Sequence, residues 1–427
     1  MLAAFLIAFL VLLVLGIPIA LALGGTALAY LLLKGDLSLT LMVQTTFAGM
    51  ASFPLLAIPL FMLAGALMNE SGITGDLVRF ARLLLGRVSG GLGLATILAC
   101  AIFAAISGSA VATAVAVGSV MLPAMKEAGY EEEVAAAATA TASCMGPIIP
   151  PSIPFIIYGV IANVSIGALF LSGIIPGVLL GTVLMVYMFW VARRRRYPLE
   201  ERPGWREVLV GTWRAVPALL MPLIIIGGIM GGFFTPTEAG GIAVAYAFVV
   251  GGIIYRGIKL ARLPAVLLTA GLETAMVMLL LGLSEPFAWV VAVEQLPQKL
   301  LSALMVVGNH PTLVLLLISA ALILIGIPLE TAPALAIVTP VLAPLADRLG
   351  IDPLQLGAVV VFNLVLGLIT PPVGAVLFSV CGISGISLER LSRAIWLPFL
   401  IGLAVLLLIT FFPSLTTTVP KMFFKAL

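Results

Sequence analysis

Four interruptions break an otherwise strongly apolar chain, and all four carry oxygen-bearing groups. Ser107-Gly108-Ser109 lies inside FAAISGSAVATAVAVGSVMLP, and Gly326-Ile327-Pro328-Leu329-Glu330-Thr331 inside LILIGIPLETAPALAIVTP. SCMGPIIPPSIP and FNLVLGLITPPVG each hold a Pro-Pro pair, Pro150-Pro151 and Pro371-Pro372. Adjacent prolines remove two amide donors and disfavour helix at the preceding residue. Carbonyls around Gly146 and Gly367 are thereby freed. Carbonyls, hydroxyls and one amide are hard oxygen ligands that suit sodium without burying net charge. One candidate set is Ser107, Ser109, Ser143 and Gly146; the other is Gly326, Thr331, Asn363, Gly367 and Thr370. A carboxylate substrate fits between them, at Ser109, Pro150, Pro151, Glu330, Pro371 and Pro372, where half-helix N-termini offer positive dipole ends.

Each Ser or Thr has a competing role, hydrogen bonding to its own helix. Asn363 is different, because an amide in mid-span is costly unless partnered. Asn363, Gly367 and Thr370 stand at i, i+4 and i+7 and share one helical face. That face is expected to lie opposite Gly326–Thr331, as Gly146 opposite Ser107–Ser109. Other chemistry lacks its parts. The one histidine, His310, lies in a loop before Pro311, and Cys100, Cys144 and Cys381 have no CxxC spacing. An intramembrane hydrolase would need a general base, which ISGSA does not have nearby, and no GxxxxGK[ST] loop supports ATP hydrolysis. Glu238 in TPTEAGG suits the start of a helix. Glu273 and Glu285 lie inside one apolar segment, and for Glu273 pairing with the scaffold or a partner subunit fits better than a proton relay.

The elements that must position these groups are membrane helices. Of 427 residues, 62% are hydrophobic and 9% charged, and the mean hydropathy is +1.27. The solvent is therefore lipid, and the chain supplies on the order of ten crossings of ~20 residues each. The N-terminal run to Leu33 reads as one span, without the basic flank of a signal peptide. Gly91–Met125 and Thr312–Leu345 are too long for one helix and are broken near their middles, which suits hairpins returning to one side. Nine crossings, two hairpins and a cytoplasmic N-terminus place sixteen of the 21 Lys and Arg inside, among them Arg79, Arg82, Arg193–Arg196, Arg202 and Arg390. Lys34, Lys299, Arg348, Lys421 and Lys425 remain outside, as the positive-inside rule requires.

The chain also matches itself at an offset of 221: Pro123, Gly129, Gly146, Pro150 and Pro151 fall on Pro344, Gly350, Gly367, Pro371 and Pro372. GGTALAY (24–30) matches GGIAVAY (240–246), and LVRFARLLLG matches QKLLSALMVVG as an interfacial arm before each hairpin. The first repeat spans 1–212, with hairpin 91–125, broken helix 134–161 and the basic loop 192–212. A connecting span covers 213–237. The second repeat spans 238–427, with hairpin 312–345 and broken helix 354–381. Corresponding elements are an odd number of crossings apart, so the repeats are inverted. Inverted repeats with interrupted helices at matching places indicate a secondary transporter. An ion channel is disfavoured, since no ring-forming charged filter is present.

ISGSAVATAVAVGSVMLPAMKEAGY, GPIIPPSIPFIIYG, TPTEAGGIAVAYAF and GLITPPVGAVLF together resemble the large permease subunit of tripartite ATP-independent periplasmic (TRAP) transporters. The resemblance covers essentially the whole chain. It implies an all-α polytopic fold of two inverted repeats with re-entrant hairpins, working as an elevator in a bacterial or archaeal inner membrane. It also implies sodium-driven uptake of an organic acid, such as sialic acid or a dicarboxylate, and no enzyme activity, organic cofactor or nucleic-acid partner. A periplasmic binding protein would deliver the acid. A small four-helix membrane subunit would be a separate chain, since Met1 opens directly on the first span. The alternative is a stand-alone sodium/dicarboxylate or anion symporter of related fold without a binding protein.

Overall fold

Backbone N–H and C=O groups in hydrocarbon must be satisfied within the chain, which favours helices. The computed structural model describes residues 2–35, 38–200, 204–304 and 310–424, and among them are helices, turns and loops but no strand. Arg202, Lys425 and the end of the second arm (305–308) lie outside the described residues.

The first half begins with α1 (Leu2–Val14), α2 (Ile19–Lys34), α3 (Thr40–Met50), α4 (Ala57–Glu70) and the arm α5 (Ile73–Leu85). A hairpin of α6 (Gly91–Ser107) and α7 (Ala110–Glu127) follows, then the broken pair α8 (Glu132–Ser143) and α9 (Ile153–Ala162), then α10 (Ile166–Arg195). The connecting helix is α11 (Trp205–Met230). The second half has α12 (Pro236–Val249), α13 (Leu263–Val293), the arm α14 (Leu296–Leu304) and a hairpin of α15 (Pro311–Gly326) and α16 (Thr331–Arg348). Its broken pair is α17 (Pro353–Gly367) and α18 (Ala375–Ser384), and α19 (Leu388–Phe411) and α20 (Ser414–Phe423) end it.

Among the described residues, seven helical stretches are long and apolar enough to cross a membrane, from Phe53–Glu70 to Leu388–Phe411. One of them, Ala110–Glu127, is a hairpin arm. Five of the others correspond to continuous crossings read from the sequence, and Phe53–Glu70 covers the later part of a sixth; the remaining crossings are divided into shorter helices. The N-terminal run corrects the single-span reading. Its chain turns at Gly16-Ile17-Pro18, and the Phe5 ring lies 5.7 Å from the Tyr30 ring. Collinear helices would hold these residues more than ~35 Å apart at 1.5 Å per residue. The start of α1 therefore lies at the Lys34 end of α2. The span expected over Phe47–Met68 is also divided, because α3 stops at Met50 before Pro54.

The 221-residue offset recurs at several helix boundaries around the site. The hairpin arms α7 and α16 begin and end 221 residues apart, and so do the starts of α8 and α17. Both Pro-Pro bonds are cis. The Cys144 thiol approaches the Val365 carbonyl at 3.7 Å, and these residues are themselves 221 apart. Two equivalent residues can touch only beside a pseudo-two-fold axis, so the axis passes between the two breaks. Around it, α8 packs on α6 and α7, and α17 on α15 and α16, with crosswise contacts of α7 with α18 and α16 with α9. Outside this core, α13 packs with α2, α3 and α4, α12 with α4, and α11 with α5 and α12.

Polar contacts sort the cations into two belts. Arg79 pairs with Glu207, Arg82 with Glu200, Arg195 with Glu131, Arg262 with Glu70 and Arg390 with Glu133. At the other end, Lys299 faces Glu294 at 3.9 Å and Lys421 pairs with Asp352 at 3.1 Å. Glu238 sits in a capping box: its carboxylate accepts from the Thr235 N–H at 2.7 Å, and the Thr235 hydroxyl accepts from the Glu238 N–H.

Candidate functional site

In the first half, α6 ends at Ser107, Gly108 turns the chain with φ +63°, and Ser109 caps α7. The Ser109 hydroxyl accepts from the Ala112 N–H at 3.3 Å. Thr113 donates to the Ser109 carbonyl at 2.7 Å, and its hydroxyl lies 2.9 Å from that of Ser107. Gly146 is pressed onto this tip. A Cβ there would stand 2.5 Å from the Ser109 carbonyl oxygen and 3.0 Å from the Thr113 hydroxyl. The tip also meets the Pro-Pro segment, where the Pro151 carbonyl lies against Gly108.

The second half also presses its glycine onto a hairpin, but at Gly326, the end of α15, four residues before the position equivalent to Ser109. A Cβ on Gly367 would stand 2.5 Å from the Gly326 carbonyl carbon. Beside it, the Asn363 amide donates to the Val359 carbonyl at 2.8 Å and to the Ser319 hydroxyl at 3.2 Å. A carbonyl can only accept, so Nδ2 must point at Val359 and Oδ1 away from it. Asn363 is fully buried, and among the described residues its Oδ1 has no hydrogen-bond partner; the buried hydroxyls of Thr331 and Thr339 have none either. Leaving such an oxygen unsatisfied costs about 1–3 kcal/mol.

The sequence-expected residues therefore fall into groups. Ser107 and Ser109 share one tip with Gly146, and Gly326 meets Gly367. Ser143 and Thr370 bond back to their own helices, donating to Ala140 at 2.7 Å and Leu366 at 2.8 Å. A donated proton leaves hydroxyl lone pairs free for another ligand. The carbonyls of Cys144, Gly146, Ile369 and Thr370 accept no backbone N–H among the described residues. Pro150 and Pro151 are buried, Pro371 is half-buried, and Pro372 and Glu330 are exposed, the last at the start of α16. Sequence reading missed Thr113 and Ser319. Thr113 stands at i+4 from Ser109, a signal that was available; Ser319 joins Asn363 only through the packing of α15 on α17.

Residues 6–415 match the model of the family described as tripartite ATP-independent periplasmic transporter, DctM component. The chain belongs to this family. It is 38% identical over 95% of its length to the isethionate TRAP transporter permease protein DctMQ of Oleidesulfovibrio alaskensis, and spans 64% of that relative. With the sialic acid TRAP transporter large permease protein SiaM of Vibrio cholerae it shares 38% identity over 96% of both chains. Among solved structures, the Alcanivorax borkumensis YdaH transporter matches 87% of this chain and 88% of its own, with a TM-score of 0.65 at 15% identity. That likeness concerns the fold alone. The TRAP large permease is thus an all-helical, multi-pass membrane protein, and its relatives are transporter components.

Proposed function

We propose that this large permease couples sodium entry to uptake of an organic acid, which a periplasmic binding protein delivers, together with a small membrane subunit. The hairpins and broken helices form the moving body of an elevator, and α2–α4 with α11–α13 form the fixed frame. The observation that carries the reading is the fully buried, unpartnered Oδ1 of Asn363 beside the Gly326–Gly367 junction. A neutral amide oxygen, a hydroxyl and unpaired carbonyls replace water around a monovalent cation without leaving net charge in the membrane. Ser107, Ser109, Ser143 and Gly146 form the corresponding set of the first half, and Thr331, Asn363, Gly367 and Thr370 with Gly326 that of the second. The substrate carboxylate lies between the tips, bordered by Ser109, Glu330 and the two Pro-Pro pairs.

The orientation that puts the arginine-rich belt in the cytoplasm follows the positive-inside rule. It leaves the C-terminal helix periplasmic, since Lys421 joins Asp352. It also moves the start of α1 to the periplasmic side, opposite to the sequence expectation. The test is uptake of candidate acids into proteoliposomes holding both membrane subunits. Uptake should require inward sodium and the loaded binding protein. Full-rate uptake in sodium-free buffer under a proton gradient alone would refute the coupling. Full-rate uptake of free acid without the binding protein would favour the stand-alone symporter.

A further inference from the structure

Polar side chains on the outer surface of a membrane helix mark places where lipid is a poor neighbour. Helix α13 carries Glu273 and Glu285 with exposed side chains, and neither makes a hydrogen bond or ion pair among the described residues. Glu285 lies nine residues before Glu294, about 14 Å along the helix at 1.5 Å per residue, and Glu294 belongs to the Tyr30–Lys299 belt. A ~30 Å hydrocarbon core therefore encloses the Glu285 carboxylate well below that belt, where an ionisable group is costly and calls for a partner.

Its surroundings are unusual. Glu285 emerges beside α3, which sits so close that a Cβ on Gly49 would stand 2.9 Å from the Glu285 Cβ. Helix α3 has no buried residue, and Val43, Gln44 and Phe47 are exposed along it. An apolar helix with an amide on its outer side and a carboxylate at its seam fits a second helix in the bilayer better than acyl chains.

We infer that the α3–α13 seam docks a transmembrane helix of the small membrane subunit, which brings a Lys, Arg or other hydrogen-donating side chain to Glu285. The inference rests on the proposed presence of that subunit. Charge selects the occupant. A second copy of this chain joined by a two-fold axis at the seam would set Glu285 against Glu285, and lipid headgroups do not reach this depth. Gln44 offers the docked helix a second hydrogen-bonding group within the same apolar surface.

The test is co-expression of the full chain with an affinity-tagged small subunit, followed by detergent washing and quantification of both chains. Glu285→Leu should lower the retained large permease about tenfold, in line with the strength of interhelical polar contacts in membranes, and Glu285→Gln should lower it less. Glu273→Leu should leave retention unchanged, because twelve residues at 100° each put Glu273 about a third of a turn away. Gel filtration of each variant separates loss of docking from loss of fold. Unchanged retention with monodisperse Glu285→Leu would overturn the inference. Cross-linked pairs of the large permease that disappear in Glu285→Leu would overturn it in favour of self-association. If even the wild-type chains do not co-purify, the proposed subunit composition fails instead.

Discussion

Asn363→Ala tests the second-half ion site most directly. The substitution removes Oδ1, the unpartnered acceptor, together with the two bonds made by Nδ2. If Oδ1 is a sodium ligand, losing it costs about 1–3 kcal/mol of binding, or roughly a 5- to 150-fold rise in half-saturating sodium. The assay is initial uptake into proteoliposomes against external sodium, normalised to folded protein. Ser319→Ala is the matched control, since it removes one partner of Nδ2 and leaves Oδ1 in place. Sodium should also raise the melting temperature of the wild type, because a ligand bound only to the native state stabilises it by RT ln(1 + [L]/Kd). That protection should largely vanish in Asn363→Ala and persist in Ser319→Ala. If both variants melt earlier but keep the wild-type sodium dependence, Asn363 only holds α17 to α15 and the site is refuted.

Gly146→Ala and Gly367→Ala should each lower thermal stability by about 1–3 kcal/mol, the range for forcing extra atoms into a packed site, because backbone stands 2.5 Å from the added carbon. Gly241→Ala meets nothing within 4 Å inside α12 and should stabilise by up to ~1 kcal/mol; the three melting curves check the contrast. Thr235→Ala should cost ~1 kcal/mol through loss of the capping box, read from the same melts. The Tyr30 hydroxyl donates to Glu294 at 2.6 Å and holds that carboxyl below its ordinary value. The tie between α2 and α13 is thus present above the usual carboxylate range and lost as pH falls through the lowered value. Tyr30→Phe should flatten the acid limb of a pH–stability profile, and an unchanged limb would count against this tie.

The hairpins and broken helices were legible because Gly and Pro interrupt apolar runs at the same places in both halves. The boundaries of α7 and α16 follow that punctuation closely. The α1–α2 reversal was not legible in the same way. Apolar residues continue on both sides of Gly16-Ile17-Pro18, so hydropathy does not tell a kink from a reversal. What decides it is tertiary: Phe5 and Phe9 pack on Phe287, far along the chain. The candidate site divides likewise. Helical spacing placed Asn363 and Gly367 on one face, but only packing shows that the Val359 carbonyl and the Ser319 hydroxyl take the amide hydrogen bonds and leave Oδ1 bare.

The two junctions also show which parts of a duplicated site can diverge. Each brings backbone against backbone through one glycine, Gly146 on Ser109 and Gly367 on Gly326, and neither contact tolerates a Cβ. Side chains are not bound by that constraint. The start of α7 is capped by the Ser109 hydroxyl, whereas the equivalent residue of α16, Glu330, makes no side-chain capping bond. Ser107, Thr113 and the Ser109 carbonyl satisfy one another in the first half, while Asn363, Thr331 and Thr339 carry oxygens without donors in the second. The glycine of each broken helix thus plays the same part in both repeats although the tip residue it meets is not the equivalent one, and the unmet demand for a positive partner is concentrated in the second half. An oxygen already receiving a proton gains less from a cation than a bare one. On the proposed sodium-coupled reading, substitutions at Asn363 should therefore shift the sodium requirement further than substitutions at Ser107.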